Sequence, residues 1–132
     1  MRYLGIDYGR TRIGVAVSDP DGRMAFPHST VRTLEEAAAI AKREGVGAVV
    51  IGLPIPFRAQ PSAQTRAVRA FAARLKKALQ LPMAFENEVF TTKLAERHTP
   101  EENADASAAA LILQSYLDRK KHEARIMNTV RP

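Results

Sequence analysis

The sequence predicts an α/β domain in which a mixed five-stranded sheet carries helices on both faces. Three segments rich in apolar and β-branched residues open the chain, at 2–7, 12–18 and about 23–30, as in an antiparallel meander. The continuous apolar run Ala48–Gly52 is typical of a parallel strand that is covered on both faces. Helical segments precede and follow this run, and another strand begins at Met83. We therefore expect three antiparallel strands followed by two parallel strands.

Turn and cap residues mark the connections between these elements. Asp19–Gly22 is a turn in which proline fixes φ and glycine accepts a positive φ. Thr33 and Glu36 have the spacing of a capping box and predict the start of a helix that ends at Gly45. A second helix is expected from about Ser62 to Leu79, because apolar residues recur there at helical spacing.

The last part of the chain predicts further helices. A short helix is expected after Thr91, and Thr99 followed by Pro100 has the pattern of another helix start. The final helix is predicted from about Asn103 to Lys121, and residues 122–132 are expected to form a loose basic tail. With no repeat and no visible boundary, residues 1–132 are interpreted as one domain.

Composition narrows the functional class. Hydrophobic residues make up 45% and charged residues 26% of the chain, as in an ordinary globular protein. No apolar run approaches the length of about 18 residues that a membrane span needs, and no signal segment is visible. There is no cysteine, which excludes disulfides and thiolate metal sites. These features predict a cytoplasmic protein without a membrane partner.

The whole chain has a net charge of +6, and its basic residues are concentrated in two segments. Residues 45–85 contain no aspartate or glutamate, and the end of the chain adds a further basic group. A field of one sign attracts polyanions, so this distribution favours a nucleic-acid partner over a merely solvated basic face. The basic residues concerned are Arg58, Arg66, Arg69, Arg74, Lys76, Lys77, Arg119, Lys120, Lys121, Arg125 and Arg131.

Three carboxylates occupy positions where an active site could form. Asp7 ends the first strand, Glu88 follows the last strand, and Asp105 begins the last helix. The carboxyl ends of parallel strands share one edge of a sheet, where ligand sites gather. Clustered acids repel one another unless a hard cation such as Mg²⁺ or Mn²⁺ lies between them, and two such ions support phosphodiester hydrolysis. Asp105 could equally be a charge that favours the helix N-terminus.

Four sequence blocks, spread over nearly the whole chain, resemble the YqgF (RuvX) family. The first runs from Gly5 to Gly9 and continues through Arg12–Asp19. The others are Ile51–Pro54, Asn87–Thr92 and Asp105–Leu117. The resemblance implies an RNase H-like fold, a metal-dependent nuclease with Mg²⁺ or Mn²⁺ (two ions), and catalytic and metal-binding roles for Asp7, Glu88 and Asp105.

The resemblance also implies a substrate class. The family is associated with maturation of the 5′ end of 16S ribosomal RNA and with Holliday junction resolution, so RNA is preferred here over branched DNA. The backbone of the nucleic acid would be held by basic and hydroxyl side chains of the first hairpin and of the central basic stretch. These residues are Arg10, Thr11, Arg12, Arg58, Arg66 and Arg69.

Departures from the family pattern keep alternatives open. Asn87 and Val89 stand where the family usually has aspartate and arginine, and Arg58 stands where it commonly has an acid. A nucleic-acid-binding module without catalysis is therefore an alternative. A phosphotransferase of the actin or hexokinase type is disfavoured by the length of the chain, because those enzymes close two domains around ATP. The oligomeric state, monomer or homodimer, is left open.

Overall fold

The computed structural model describes residues 1–54, 62–87 and 101–130, with the side chains of 101–103 and 129–130 left aside. Its strands and helices follow one another along the chain as the apolar pattern predicts. The strands are Tyr3–Tyr8 (β1), Ile13–Ser18 (β2), Ala25–Val31 (β3), Ala48–Leu53 (β4) and Met83–Asn87 (β5). The helices of the described part are Leu34–Glu44 (α1), Ala63–Leu79 (α2) and Glu101–Val130 (α3).

The five strands form one mixed sheet in the order β3-β2-β1-β4-β5. β1 and β2 pair antiparallel, as do β2 and β3, whereas β1–β4 and β4–β5 are parallel. The predicted sheet of three antiparallel strands followed by two parallel ones is confirmed. In this order β1 is central, so the carboxyl ends of β1, β4 and β5 lie along one edge of the sheet.

Side-chain caps fix where the first two helices begin and end. The Thr33 hydroxyl accepts a hydrogen bond from the Glu36 amide at 3.1 Å, which confirms the predicted start of α1. Gly45, with φ of 65°, ends that helix in the left-handed conformation. Ser62 caps α2 by accepting from the Thr65 amide at 3.0 Å, and Gln80 ends it.

The helices lie on both faces of the sheet, as expected. On one face, α1 and α2 pack on a core that includes Ile6, Ile51 and Leu75. On the other face, α3 packs through a smaller core that includes Val50 and Leu113. α3 lies very close to the sheet because β1 carries glycine where the helix crosses. A Cβ atom at Gly5 would lie 2.8 Å from the Leu113 Cβ.

The final helix is longer than predicted. Instead of ending at Lys121 it continues to Val130, so the expected loose tail is wrong for residues 122–130. The prediction followed the apolar stripe, which reports burial, whereas the side chains from Lys121 to Asn128 are all exposed. This segment contains no proline or glycine to break a helix, and an Arg119–Glu123 ion pair one turn apart crosses the predicted end at 3.5 Å.

Some expectations concern segments that the model does not describe. The short helix after Thr91 and the Thr99–Pro100 helix start lie outside the described residues. Within the described part, no helix is both long enough and apolar enough to cross a membrane.

Candidate active site

Asp7 lies near the carboxyl end of β1, on the side of the sheet that faces α3. Successive residues of a strand alternate between the two faces of the sheet. Gly5 contacts α3, so Asp7, two residues further along, shares that side. The ring of Tyr8 points the other way and packs on Phe71 of α2, with the ring centroids 4.5 Å apart. In the β1–β2 ladder, Asp7 is directly paired with Gly14.

Gly14 brings the first turns of α3 against this point of the sheet. A Cβ atom at Gly14 would overlap the carbonyl oxygen of Asp105, so a residue with a side chain could not occupy this position without moving the helix. Directly paired residues of antiparallel strands have Cα atoms about 5 Å apart. Asp7 is therefore one ladder step from a residue that touches the Asp105 backbone, and the two acids share one edge of the sheet.

The Asp105 side chain has an unusual environment for a carboxylate. Its Oδ2 atom is buried and accepts no hydrogen bond from any of the described residues. The Nε atom of Arg12 lies 3.1 Å away as an ion-pair partner, without the alignment of a hydrogen bond. A buried carboxylate oxygen usually has a donor, and one without a donor fits a hard divalent cation, which prefers oxygen ligands. The chemistry of this site is thus compatible with a bound Mg²⁺ or Mn²⁺.

The third predicted acid, Glu88, lies outside the described residues. Its sequence neighbour Asn87 ends β5, where it is exposed and pairs with Leu53 of β4. Among the described residues, no three histidine, aspartate or glutamate side chains form a group that could hold a metal ion. The described part thus places two of the three predicted acids and leaves the third position open.

A buried acid that the sequence did not single out lies on the same strand as Asn87. Glu86 faces α3, and its Oε1 and Oε2 atoms accept from the Arg119 guanidinium at 3.1 and 3.4 Å. The hydrogen bond and charge of Glu86 raise the pKa of Arg119 above its ordinary value. This pair joins β5 to α3 and has the features of a structural contact. Its two members are 33 positions apart, so no local pattern in the sequence could reveal it.

The turn between β1 and β2 carries three of the predicted nucleic-acid-binding residues. It is tight, since the Gly9 amide donates to the Arg12 carbonyl at 2.9 Å. Arg10, Thr11 and Arg12 are all exposed, and Arg12 reaches the Asp105 carboxylate. The structure thus brings this turn to Asp105, whereas the sequence predicted only a phosphate contact for Arg12.

Arg66 and Arg69, two further predicted basic residues, do not converge on Asp105. Arg66 and Arg69 are exposed on α2, which belongs to the layer on the opposite face of the sheet from α3. The Arg69 guanidinium lies 5.3 Å from the centroid of the Phe85 ring, which fixes it beside β5. Arg58 lies outside the described residues.

The structural role of Gly14 was not predicted, although the sequence carries a signal for it. An isolated glycine within a strand often marks a place where another backbone approaches closely. Gly14 lies between Ile13 and Val15, in a strand that is buried throughout. What approaches it is not visible in the sequence, because Asp105 is far along the chain.

Comparison with known sequences places the chain in a family. The sequence model of the RuvX family, described as "Holliday junction resolvase", matches residues 1–119. A protein of Maridesulfovibrio salexigens named "Putative pre-16S rRNA nuclease" is 37% identical over 90% of this chain and 99% of its own length. A protein of Nitratidesulfovibrio vulgaris with the same name is 39% identical over 89% of this chain and 94% of its own length.

Comparison with solved structures identifies the fold. Thermus thermophilus RuvC, solved in complex with a Holliday junction substrate, matches with a TM-score of 0.62. The match covers 92% of this chain and 96% of RuvC, with 16% sequence identity. The mixed sheet with helices on both faces is therefore the RNase H-like fold that the sequence predicted. The match to the family model over residues 1–119 and the similarity to the two curated relatives show that the chain belongs to the RuvX family of nucleases.

Proposed function

We propose that the protein is a divalent-metal-dependent nuclease whose catalytic and metal-binding residues are Asp7, Glu88 and Asp105. The observation that carries this proposal is the contact chain from Asp7 through Gly14 to Asp105, together with the buried Asp105 oxygen that accepts no hydrogen bond from the described residues. Glu88 enters the proposal through its position in sequence, directly after β5. Two carboxylates at one sheet edge can share a cation and thereby avoid repelling each other.

The proposed reaction is hydrolysis of a phosphodiester bond. A water oxygen attacks phosphorus, the bond to the 3′ oxygen breaks, and the products carry a 5′-phosphate and a 3′-hydroxyl. Bound Mg²⁺ or Mn²⁺, in a pair, supplies an activated water and neutralises charge on the leaving oxygen. In this proposal Asp7, Glu88 and Asp105 hold the metal ions. Arg12 holds Asp105 in place through the 3.1 Å ion pair.

RNA is the proposed substrate, with the 5′ end of pre-16S ribosomal RNA as the specific target. The names of the relatives from Maridesulfovibrio and Nitratidesulfovibrio support this choice. In this proposal the turn residues Arg10, Thr11 and Arg12 contact the backbone of the RNA, as do Arg58, Arg66 and Arg69. Such an enzyme would act in the cytoplasm.

A four-way DNA junction is the second candidate substrate. It is favoured by the description of the family model and by the similarity in fold to RuvC, which was solved with such a junction. Two symmetric cuts in a junction need two active sites, so this activity would need a homodimer. A monomer suffices for trimming a single RNA strand.

One cleavage assay tests the proposal. Precursor ribosomal RNA, single strands and four-way junctions are incubated side by side with Mn²⁺ or with a chelator, and the oligomeric mass is measured on the same sample. We expect cleavage of RNA with Mn²⁺, none with chelator, and loss of cleavage in Asp7→Asn and Asp105→Asn. Asp21→Asn is the matched control, because Asp21 is exposed in the turn at the opposite end of β2.

The result that contradicts the proposed site is cleavage by Asp7→Asn at the wild-type rate. A protein that shifts RNA in a gel without ever shortening it would instead be a binding module without catalysis. Preferred cutting of the junction by a dimer would transfer the assignment to the second substrate.

A further inference from the structure

We infer that a second anion site lies beside the β1–β2 turn, on the opposite side of the sheet from Asp105, and that it binds a backbone phosphate of the nucleic-acid strand. The site is an open pocket of about 260 Å³. The inference rests on the proposed function in one respect, since it takes the bound polyanion to be the strand that reaches the acids. It assigns new roles to Arg32, which no sequence pattern singled out, and to Arg74, which the sequence marked only as part of the central basic stretch.

Three elements of the fold build the pocket. Its inner wall is the pair of stacked rings of Tyr8 and Phe71. Around these rings, the β1–β2 turn contributes Arg10, the residue after β3 contributes Arg32, and α2 contributes Arg74. Three arginines from distant parts of the sequence therefore line one pocket. Their planar groups suit bidentate contacts with phosphate oxygens.

The pocket has a positive charge that the protein itself leaves largely unneutralised. Arg10, Arg32 and Arg74 are exposed, and among the described residues none of them has an ion-pair partner. The acid that lines the pocket is Glu35, which forms no ion pair with them. Thr33 and Leu34, at the N-terminus of α1, also line it, so the positive end of a helix dipole adds to the attraction for an anion.

The β1–β2 turn links the pocket to the candidate active site. Arg12 and Arg10 are two positions apart, so their Cα atoms are at most about 7.6 Å from each other. Arg12 reaches Asp105 on the α3 side, whereas Arg10 lines the pocket on the side of α1 and α2. A strand held at the acids and crossing this turn would thus place a neighbouring phosphate among the three arginines.

The test measures binding without metal and without cleavage. The variant Arg32→Gln/Arg74→Gln is compared with Lys42→Gln/Arg43→Gln, which removes the same charge from the exposed last turn of α1. The probe is a fluorescent single-stranded RNA with a 5′-hydroxyl end, titrated in EDTA between about 50 and 200 mM salt. Circular dichroism checks that each variant is folded.

We expect the pocket variant to bind more weakly and to show a shallower dependence of log K on log salt, by about 0.7 for each lost phosphate contact. The control should keep the wild-type slope. A scan with single neutral methylphosphonate linkages should find a position that weakens the wild type but not the pocket variant, which shows that an internal phosphate occupies the site.

Equal salt slopes for the pocket variant and the control would overturn the inference, as would a scan without such a position. The readout separates this inference from the proposed function. If the pocket variant has a shallower salt slope than the control but the wild-type protein never cleaves RNA, the nuclease proposal is contradicted and the anion site is supported. If the wild-type protein cleaves RNA but the two variants have equal slopes, the anion site is contradicted and the nuclease proposal is supported.

Discussion

Gly14 lies between the two described acids, and a methyl group there would occupy the space of the Asp105 carbonyl oxygen. In Gly14→Ala the contacting atom is backbone, so relief requires α3 to move away from β2. We expect a loss of about 1–3 kcal/mol in the free energy of unfolding and a loss of cleavage that persists well below the melting temperature. Chemical denaturation and the RNA cleavage assay measure the two effects.

Gly45→Ala is the matched control for this residue. Gly45 has a φ of 65° and open space around its Cα, so alanine there is strained without touching the site. It should cost about 1 kcal/mol and leave cleavage of the folded protein unchanged. Full cleavage by Gly14→Ala would mean that the close approach of Asp105 to β2 is unimportant for the reaction.

At the scale of secondary-structure elements, the pair of Glu86 and Arg119 attaches α3 to β5. Glu86 is 8% exposed, whereas the Arg119 side chain is 47% exposed, so solvent screens part of the interaction. Arg119→Gln removes the charge that faces a buried acid and should cost about 1–2 kcal/mol in stability. Urea denaturation measures this cost.

Lys121→Gln, on the exposed part of α3, is the control for Arg119 and should change stability by less than about 0.5 kcal/mol. An Arg119→Gln protein as stable as this control would show that the pair does not hold the helix in place.

The extent of α3 could be predicted only in part. The helix was predicted from about Asn103 to Lys121, because its buried residues between Ala106 and Leu117 leave a periodic pattern in the sequence. Its end at Val130 was not predicted, because an exposed helix leaves no such pattern.

At the scale of the whole molecule, the relative directions of the five strands could be predicted because each connection has few solutions. Tight turns make β1, β2 and β3 antiparallel neighbours, and the helical crossovers make β4 and β5 parallel to β1. This topology also places Asp7 one ladder step from Gly14, which lies against the Asp105 backbone. The roles of these acids remain a proposal, with Glu88 outside the described residues.

Contacts between distant segments could not be predicted from the sequence. The ion pair of Arg12 with Asp105 depends on how far α3 extends over the sheet, and the grouping of Arg32 with Arg74 depends on how α2 packs against α1, which begins just after Arg32. The sequence around each of these residues contains no signal that identifies its distant partner. Their proximity is a result of tertiary packing, which a periodic pattern does not encode.

A titration with Mn²⁺, followed by the electron paramagnetic resonance signal of the free ion, tests the central claim most directly. We expect the wild-type protein to bind Mn²⁺, and Asp7→Asn and Asp105→Asn each to bind it at least tenfold more weakly, with Asp21→Asn unchanged, because each of the two acids supplies a charged oxygen ligand to the same site. Wild-type Mn²⁺ affinity in both Asp7→Asn and Asp105→Asn would contradict the account.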